Sequence, residues 1–446
     1  MTTQEELIIT VCGPVDAGKS SLIGVLTKGD LDNGRGEARS KVLKHNHEQS
    51  SGRTSSITLN PIKYKTRDHK ISLNTTKSRK NQNPIKLKDF DFDGNHICND
   101  QDKIVSLVDL AGHEKYLKTT IFGVTGLFPD RGILVIGANT GITKLTREHL
   151  GILLYLKIPI IITITKIDLA PERIYKDLCS KLKRLLTRTS FGKIVYFISG
   201  SENNNTETNL FIDKMINNPE IIPVISISNK VGTNIDNLHK ILYHSPKRNK
   251  WNEHRKKHTM IYIDTTFYVP GIGLIVSGTL RDGIVKVKDK MFIGPENGEF
   301  KQVIVRSIHN SIREEVTEIG PDVQCCLAIK CVNQKDTLTR SMVRKGMIMI
   351  DSIDKWKDNI VKTFKARITI LHHSTTIKTG YEPIIHCGPI RQPAKLKLLG
   401  EKERLKSKDS EIVEFTFKKH PEFIEENMTL FFRDGNTKGV GEVISV

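Results

Sequence analysis

Gly13-Pro14-Val15-Asp16-Ala17-Gly18-Lys19-Ser20 is the stretch that decides the fold of this chain. It follows a short apolar run, Leu7-Ile8-Ile9-Thr10-Val11, with the composition of a buried strand. It opens Ser21-Leu22-Ile23-Gly24-Val25-Leu26, whose Leu22, Val25 and Leu26 share one helical face. Strand, glycine-rich loop and helix in that order form the setting a phosphate-binding loop needs. Glycines let the backbone curl so that several N–H groups aim at one anion, and the helix N-terminus adds partial positive charge. In such a cradle Lys19 reaches the β- and γ-phosphates of a nucleoside triphosphate, and the Ser20 hydroxyl ligates Mg²⁺.

Further apolar runs surround this loop. Ile104-Val105-Ser106-Leu107-Val108 ends at Asp109-Leu110-Ala111-Gly112-His113, and Gly132–Gly137 is a further run. Pro159–Ile164 ends at Thr165-Lys166-Ile167-Asp168, and Ile222–Ile227 ends at Ser228-Asn229. Strands alternating with helical stretches predict an α/β P-loop domain with a doubly wound, mostly parallel sheet. The polar signatures sit at the C-terminal strand ends, where such sheets bind ligands.

Each signature has a chemical reading. Asp109 is a candidate Mg²⁺ holder, and the Gly112 N–H a candidate γ-phosphate sensor on a backbone free to move when that phosphate leaves. A carboxylate at Asp168 accepts from N1–H and N2–H₂ of guanine, a donor pair that adenine lacks, so the expected nucleotide is GTP. The stem of Lys166 can lie over the base. His113, directly after Gly112, is placed to orient an attacking water and is the catalytic candidate. The expected nucleotide contacts are Gly13 through Ser20, Asp109 through His113, Thr165 through Asp168, and Ser228 with Asn229.

The totals bound the partners. A chain of 446 residues is too long for one core. A formal charge of +19 favours an anionic partner beyond the nucleotide, with RNA the usual candidate and DNA not expected. Seven scattered cysteines suit a reducing compartment and fit no zinc spacing; Cys325, Cys326 and Cys331 read as core thiols. His372-His373 and His386-Cys387 are adjacent pairs that point to opposite strand faces and chelate poorly. No apolar run approaches a membrane span, and Met1–Glu6 carries acids with no long apolar region. The expectation is a monomeric cytoplasmic protein without a membrane partner.

Residues 1–243 read as the nucleotide domain, with a basic insertion at about 61–103. Its residues 61–88 hold nine Lys or Arg against one acid, Asp68. Residues 200–206 read as a surface loop. The polar, basic stretch 244–258 reads as a linker. Short apolar runs with glycine turns then predict two all-β barrels, at 259–352 and 360–446.

With these residues in view, the chain resembles the translational GTPases of the EF-Tu and elongation factor 1-alpha type. Gly13-x-Val15-Asp16-x-Gly18-Lys19-Ser20 matches their first box. Asp109–Tyr116 matches their Asp-x-Pro-Gly-His motif, with Ala111 in the proline position. Within that family it is most similar to the eukaryotic branch of GTP-binding proteins 1 and 2. The shared runs are Leu31-Asp32-Asn33-Gly34-Arg35-Gly36, Ser51–Ser56 and Lys115–Thr120. Val269–Thr279, Gly380–Pro383 and Gly435–Gly441 resemble segments of the family's two barrels, so the resemblance covers nearly the whole chain.

The resemblance implies switch I at about 50–60 and switch II at 109–120, with aminoacyl-tRNA and the ribosome as partners. Thr54 is the expected switch I ligand of Mg²⁺, with Ser55 and Ser56 as alternative alignments. Arg53 stands where an apolar gate residue is usual, either as a cis arginine or as a phosphate or RNA contact. Thr165 replaces the usual Asn of the base-binding box. That loses an amide that braces the phosphate loop and predicts weaker nucleotide binding. Two other readings compete with a GTP hydrolase acting on tRNA and the ribosome: a GTP-binding scaffold or mRNA-surveillance adaptor with negligible hydrolysis, and a sulfurylase-associated GTPase.

Overall fold

The computed structural model describes residues 5–43, 48, 54, 57–67, 70–73, 90–91, 103–188, 192–198, 212, 214–215, 218, 220–248, 251–296, 298–321, 323–333, 338–434 and 437–446. The chain forms two units, Met1–Val124 with Pro129–Asn249, and Thr125–Phe128 with Lys250–Val446.

The first unit is built on a nine-stranded sheet. Its strands are β1 (Glu5–Cys12), β2 (Thr58–Arg67), β3 (Lys70–Leu73), β4 (Phe90–Asp91), β5 (Lys103–Asp109), β6 (Arg131–Gly137), β7 (Ile160–Thr165), β8 (Ile194–Ile198) and β9 (Ile221–Ser226). Their order is β4-β3-β2-β5-β1-β6-β7-β9-β8. Neighbours from β5 through β8 are parallel, whereas β2, β3 and β4 are antiparallel. The helices are α1 (Lys19–Lys28), α2 (Glu37–Ser40), α3 (Leu117–Thr125), α4 (Lys144–Tyr155), α5 (Glu172–Arg188) and α6 (Ile235–His244).

The central strands are continuously apolar because both faces are covered. Leu7, Ile9 and Val11 of β1 join one core with Leu22, Val25 and Leu26 of α1 and Leu238, Ile241 and Leu242 of α6. Strand alternation sends Ile8, fully buried, to the opposite face. On that face Leu153 of α4 lies against Gly132 of β6, where an added Cβ would meet its Cδ2 at 2.7 Å. Each fully buried Leu or Ile contributes about 1.5–3 kcal/mol.

Three sequence readings change here. The supposed insertion does not begin at residue 61: Pro61 through Tyr64 pair in register with β5, which continues β2. Its other end is structural too. Lys103 is the first residue of β5, and its buried Nζ donates to the carbonyls of Tyr243 (2.8 Å) and Ser245 (2.7 Å), closing the C-terminus of α6. The remainder, 68–69, 74–89 and 92–102, lies outside the described residues, as does the expected loop at 200–206. Ile194–Ile198, unread in the sequence, forms an edge strand. The proposed linker at 244–258 holds a helical turn, Trp251–His254, and His254 hydrogen-bonds Asp282 at 2.7 Å.

The second unit contains two six-stranded antiparallel barrels. Met260–Val269, Gly273–Asp282, Val323–Cys331, Glu299–His309, Lys290–Glu296 and Ile348–Ile350 close the first around Ile263, Val276, Val305 and Leu327. Thr363–His372, Ser410–Phe417, Ile390–Leu398, Ile384–Cys387, Thr429–Asp434 and Thr437–Ser445 close the second around Phe364, Phe415, Phe417 and Phe432. The barrels share an apolar contact of Met260, Tyr262, Ile348, Ile350 and Phe423, into which Phe128 also packs. Arg344 Nη1 reaches both carboxylate oxygens of the buried Glu422, at 2.8 and 2.9 Å. Among the described residues no helix is long and apolar enough to cross a membrane.

Replacing Lys103 with Met keeps the side-chain length and removes both helix-closing bonds. Denaturant unfolding is expected to show a loss of about 2 kcal/mol. A loss below about 0.5 kcal/mol would mean that the two carbonyls are satisfied without it.

Candidate nucleotide-binding site

The site forms where β1 gives way to α1. Gly13 (φ +147°) carries the backbone across the Val135 carbonyl of β6, so closely that a Cβ would overlap its oxygen. Gly18 (φ +85°) turns the chain into α1. The buried Lys19 folds back, and its Nζ donates to the Pro14 carbonyl at 2.7 Å. Ala17 is fully buried beneath the loop. The resulting cavity, of about 230 Å³, is lined by Val15, Asp16, Gly18, Lys19, Ser20 and Ser21 of the loop, with Thr54, Gly112, His113 and Lys166.

Ser20, Thr54 and Asp109 converge. Asp109 Oδ2 accepts from Ser20 Oγ at 2.8 Å and from Thr54 Oγ1 at 3.0 Å, and the two hydroxyls are 2.9 Å apart. Asp109 Oδ1 is buried and has no hydrogen-bond partner among the described residues. One carboxylate and two hydroxyls, with an orphaned carboxylate oxygen, fit Mg²⁺, which takes few protein oxygens and completes its shell with water and phosphate. Burial pushes the Asp109 carboxyl above the usual carboxylate range, opposed chiefly by Lys19. Burial likewise draws Lys19 below the usual lysine range, opposed chiefly by Asp109. Arg53, Ser55 and Ser56 lie outside the described residues.

Not every residue of the Asp109–His113 run faces the cavity. Leu110 and Ala111 are buried, and Leu110 packs on Gly123 of α3. Gly112 lies tight against the loop, where a Cβ would stand 2.7 Å from the Gly13 carbonyl oxygen. His113 is exposed at the cavity, and its Nδ1 accepts from the Lys115 N–H at 3.1 Å. That bond leaves the ring proton on Nε2, so the outward nitrogen is a donor.

The base-side residues also assemble. Lys166 takes a left-handed backbone (φ 59°) and lines the cavity, while Ile167 and Asp168 form the short turn after β7. Ser228 Oγ donates to Asp168 Oδ1 at 2.7 Å and accepts from the Val231 N–H at 3.1 Å, fixing the carboxylate to the 228–231 turn. Asn229 is buried, with its amide nitrogen on the Gly18 side of the loop.

Thr165 supplies a brace of its own. Its hydroxyl donates to the Ala17 carbonyl at 2.6 Å, so the phosphate loop is braced by an oxygen in place of an amide. The sequence reading gave no role to the turn after α1. Asp32, Gly34, Arg35, Gly36 and Arg39 line the same cavity. The Asp32 N–H donates to the Asn229 carbonyl at 2.8 Å, which ties this turn to the base side. The signal lay in the Leu31–Gly36 run, noted only as a resemblance.

Thr165→Val removes the brace at constant volume. Guanine-nucleotide affinity is expected to fall about 5- to 10-fold, the value of one buried hydrogen bond, with Thr165→Ser close to wild type in a titration of fluorescent GDP. An unchanged Thr165→Val affinity would show that the brace is dispensable.

Residues 4–247 match the family model of the elongation factor Tu GTP-binding domain. The chain is 37 % identical to GTP-binding protein 1 of Xenopus laevis over 98 % of its length, and 33 % identical to GTP-binding protein 2 of Homo sapiens over 99 %. It spans 63 % and 69 % of those relatives' own lengths. Among solved structures, translation elongation factor SelB from Methanococcus maripaludis, in complex with the GTP analogue GppNHp, superposes with a TM-score of 0.65. The identity is 18 %, covering all of this chain and 80 % of that one, a likeness of fold. The chain therefore belongs to the elongation factor Tu GTP-binding domain family, whose model spans its first unit.

Proposed function

We propose that this protein binds GTP with Mg²⁺ through the residues described, hydrolyses it to GDP and phosphate, and does so in the cytoplasm with tRNA or another RNA on the ribosome. The observation that carries the reading is the convergence of Ser20, Thr54 and Asp109 beside Lys19, Gly112 and His113. Ser20, Thr54 and Asp109 would hold Mg²⁺, which supplies charge neutralisation across the β- and γ-phosphates. The loop N–H groups and Lys19 bind the phosphates. Asp168 and the Ser228–Asn229 turn select guanine, and the stem of Lys166 covers the base.

Hydrolysis needs little covalent work from the protein, because phosphoryl transfer is governed by positioning and electrostatics. His113 offers Nε2–H and not a lone pair. Its role is then to donate a hydrogen bond that orients the attacking water or meets charge developing on the γ-phosphate, not to accept the proton. Gly112 and Thr54 would respond to the γ-phosphate and lose their hold when it leaves, the order–disorder logic of nucleotide switches. The basic excess of +19 supports RNA as the second partner. The rival reading, an adaptor with negligible hydrolysis, drew part of its support from the substituted Thr165, and that support weakens because Thr165 still braces the loop.

Ribosomes added to the purified protein are expected to raise GTP turnover. His113→Ala is expected to lose about 10²- to 10⁴-fold of it, and His113→Gln, which keeps an N–H donor, to retain more. Flat turnover with ribosomes and no effect of His113→Ala would refute this function. Asp168→Asn turns one acceptor into a donor facing the guanine N–H groups. GTP affinity should fall by about 10²-fold or more, with ATP affinity not improved to match.

A further inference from the structure

Between α1 and α2 the chain makes a tightly built turn. Asp32 Oδ1 accepts from the Ala38 N–H at 2.9 Å and Oδ2 from the Gly34 N–H at 3.2 Å, while Asn33 Oδ1 accepts from the Arg35 N–H at 2.8 Å. Ala38 sits on α1 at Gly24, where any Cβ would overlap the Ala38 carbonyl oxygen. The turn is joined to the base-side loop by the Asp32–Asn229 bond, by Leu31 against Gly232, and by the Lys230 stem over Gly34.

The charges of this turn are unevenly matched. Its acids are engaged: Asp30 pairs with Lys41 at 2.8 Å, Asp32 holds two backbone N–H groups, and Glu37 accepts from Asn33 Nδ2 at 3.0 Å. Its two arginines, Arg35 and Arg39, have no carboxylate partner among the described residues, and both line the cavity that holds Lys19. Arg39 lies over Gly36, where a Cβ would stand 2.9 Å from its Cζ, so glycine at 36 lets the guanidinium rest there.

We propose that Arg35 and Arg39 form a guanidinium clamp on the inner phosphates of the bound nucleotide. This assignment rests on the nucleotide reading above. Guanidinium forks match phosphate oxygens bidentately, and a pre-built turn lowers the entropy of holding them. The turn is anchored at the base-side loop through Leu31, Asp32 and Gly34, so its reach is to the α- and β-phosphates, while Thr54, Gly112 and His113 serve the γ-phosphate. Base recognition and inner-phosphate binding then share one rigid element, and the clamp serves GTP and GDP alike.

The test uses the full chain, with affinities for GDP, GTP and guanosine measured by competition against a fluorescent GDP at several salt concentrations. The double variant Arg35→Gln, Arg39→Gln is expected to weaken GDP and GTP by the same factor, about 10- to 100-fold, and to leave guanosine within twofold. Its affinity should also respond less to salt than wild type, which a merely misshapen turn would not produce. Arg35→Lys, Arg39→Lys should recover part of the loss. GDP and GTP affinities within twofold of wild type, an equal loss for guanosine, or a loss confined to GTP would each overturn the clamp. Wild-type protein that bound no GDP would overturn the nucleotide reading itself.

Discussion

One carboxylate oxygen, Asp109 Oδ2, gathers hydroxyls from Ser20 and Thr54. It ties the first turn of α1, the end of β5 and the segment that precedes β2 into a single point. The cost is a buried carboxylate close to a buried lysine, two groups that desolvation pushes toward neutrality and that each other's charge holds back. Such a site is poised for a ligand carrying both a dication and phosphate oxygens, because each deficit is met by one half of that ligand.

The scaffold makes this arrangement possible through close approach. The phosphate loop crosses the Val135 carbonyl only because residue 13 is glycine. Gly112, just past the neighbouring end of β5, touches the loop for the same reason. Parallel order places β1, β5, β6, β7 and β9 side by side with their C-terminal ends together. Residues far apart in sequence therefore meet at one edge, and Thr165 of β7 can support Ala17 of the loop.

Much of this was legible in sequence. Apolar runs ending in polar signatures located the central strands, because strands covered on both faces have no room for alternation. Glycine turns without helical periodicity pointed to the barrels. The loop residues, Gly112, His113 and Lys166 were readable as residue types, and they line one cavity. What escaped was context. Nothing in Ile194–Ile198 distinguishes an edge strand from other short apolar runs. A Thr in an Asn position reads as a loss until the backbone brings a carbonyl within reach of its hydroxyl. Lys103 looked like one more surface cation in a basic tract, whereas its carbonyl partners lie at the end of a helix far along the chain. The arginines of the Leu31–Gly36 turn and Arg39 carried no motif of their own, and only the cavity that they line gives them a role.

Tyr64 and Lys103 stand directly opposite each other on β2 and β5. Beyond Tyr64, β2 pairs with β3 and no longer with β5, and the chain comes back to β5 at Lys103, like a bracket opened and closed on the same line. The register of β2 on β5 is laid down outside that bracket, by pairs that end with Thr58 opposite Asp109. Seven ladder pairs run from the Tyr64–Lys103 line to the Thr58–Asp109 line, so a full strand length of backbone bonding stands between the bracket and the site.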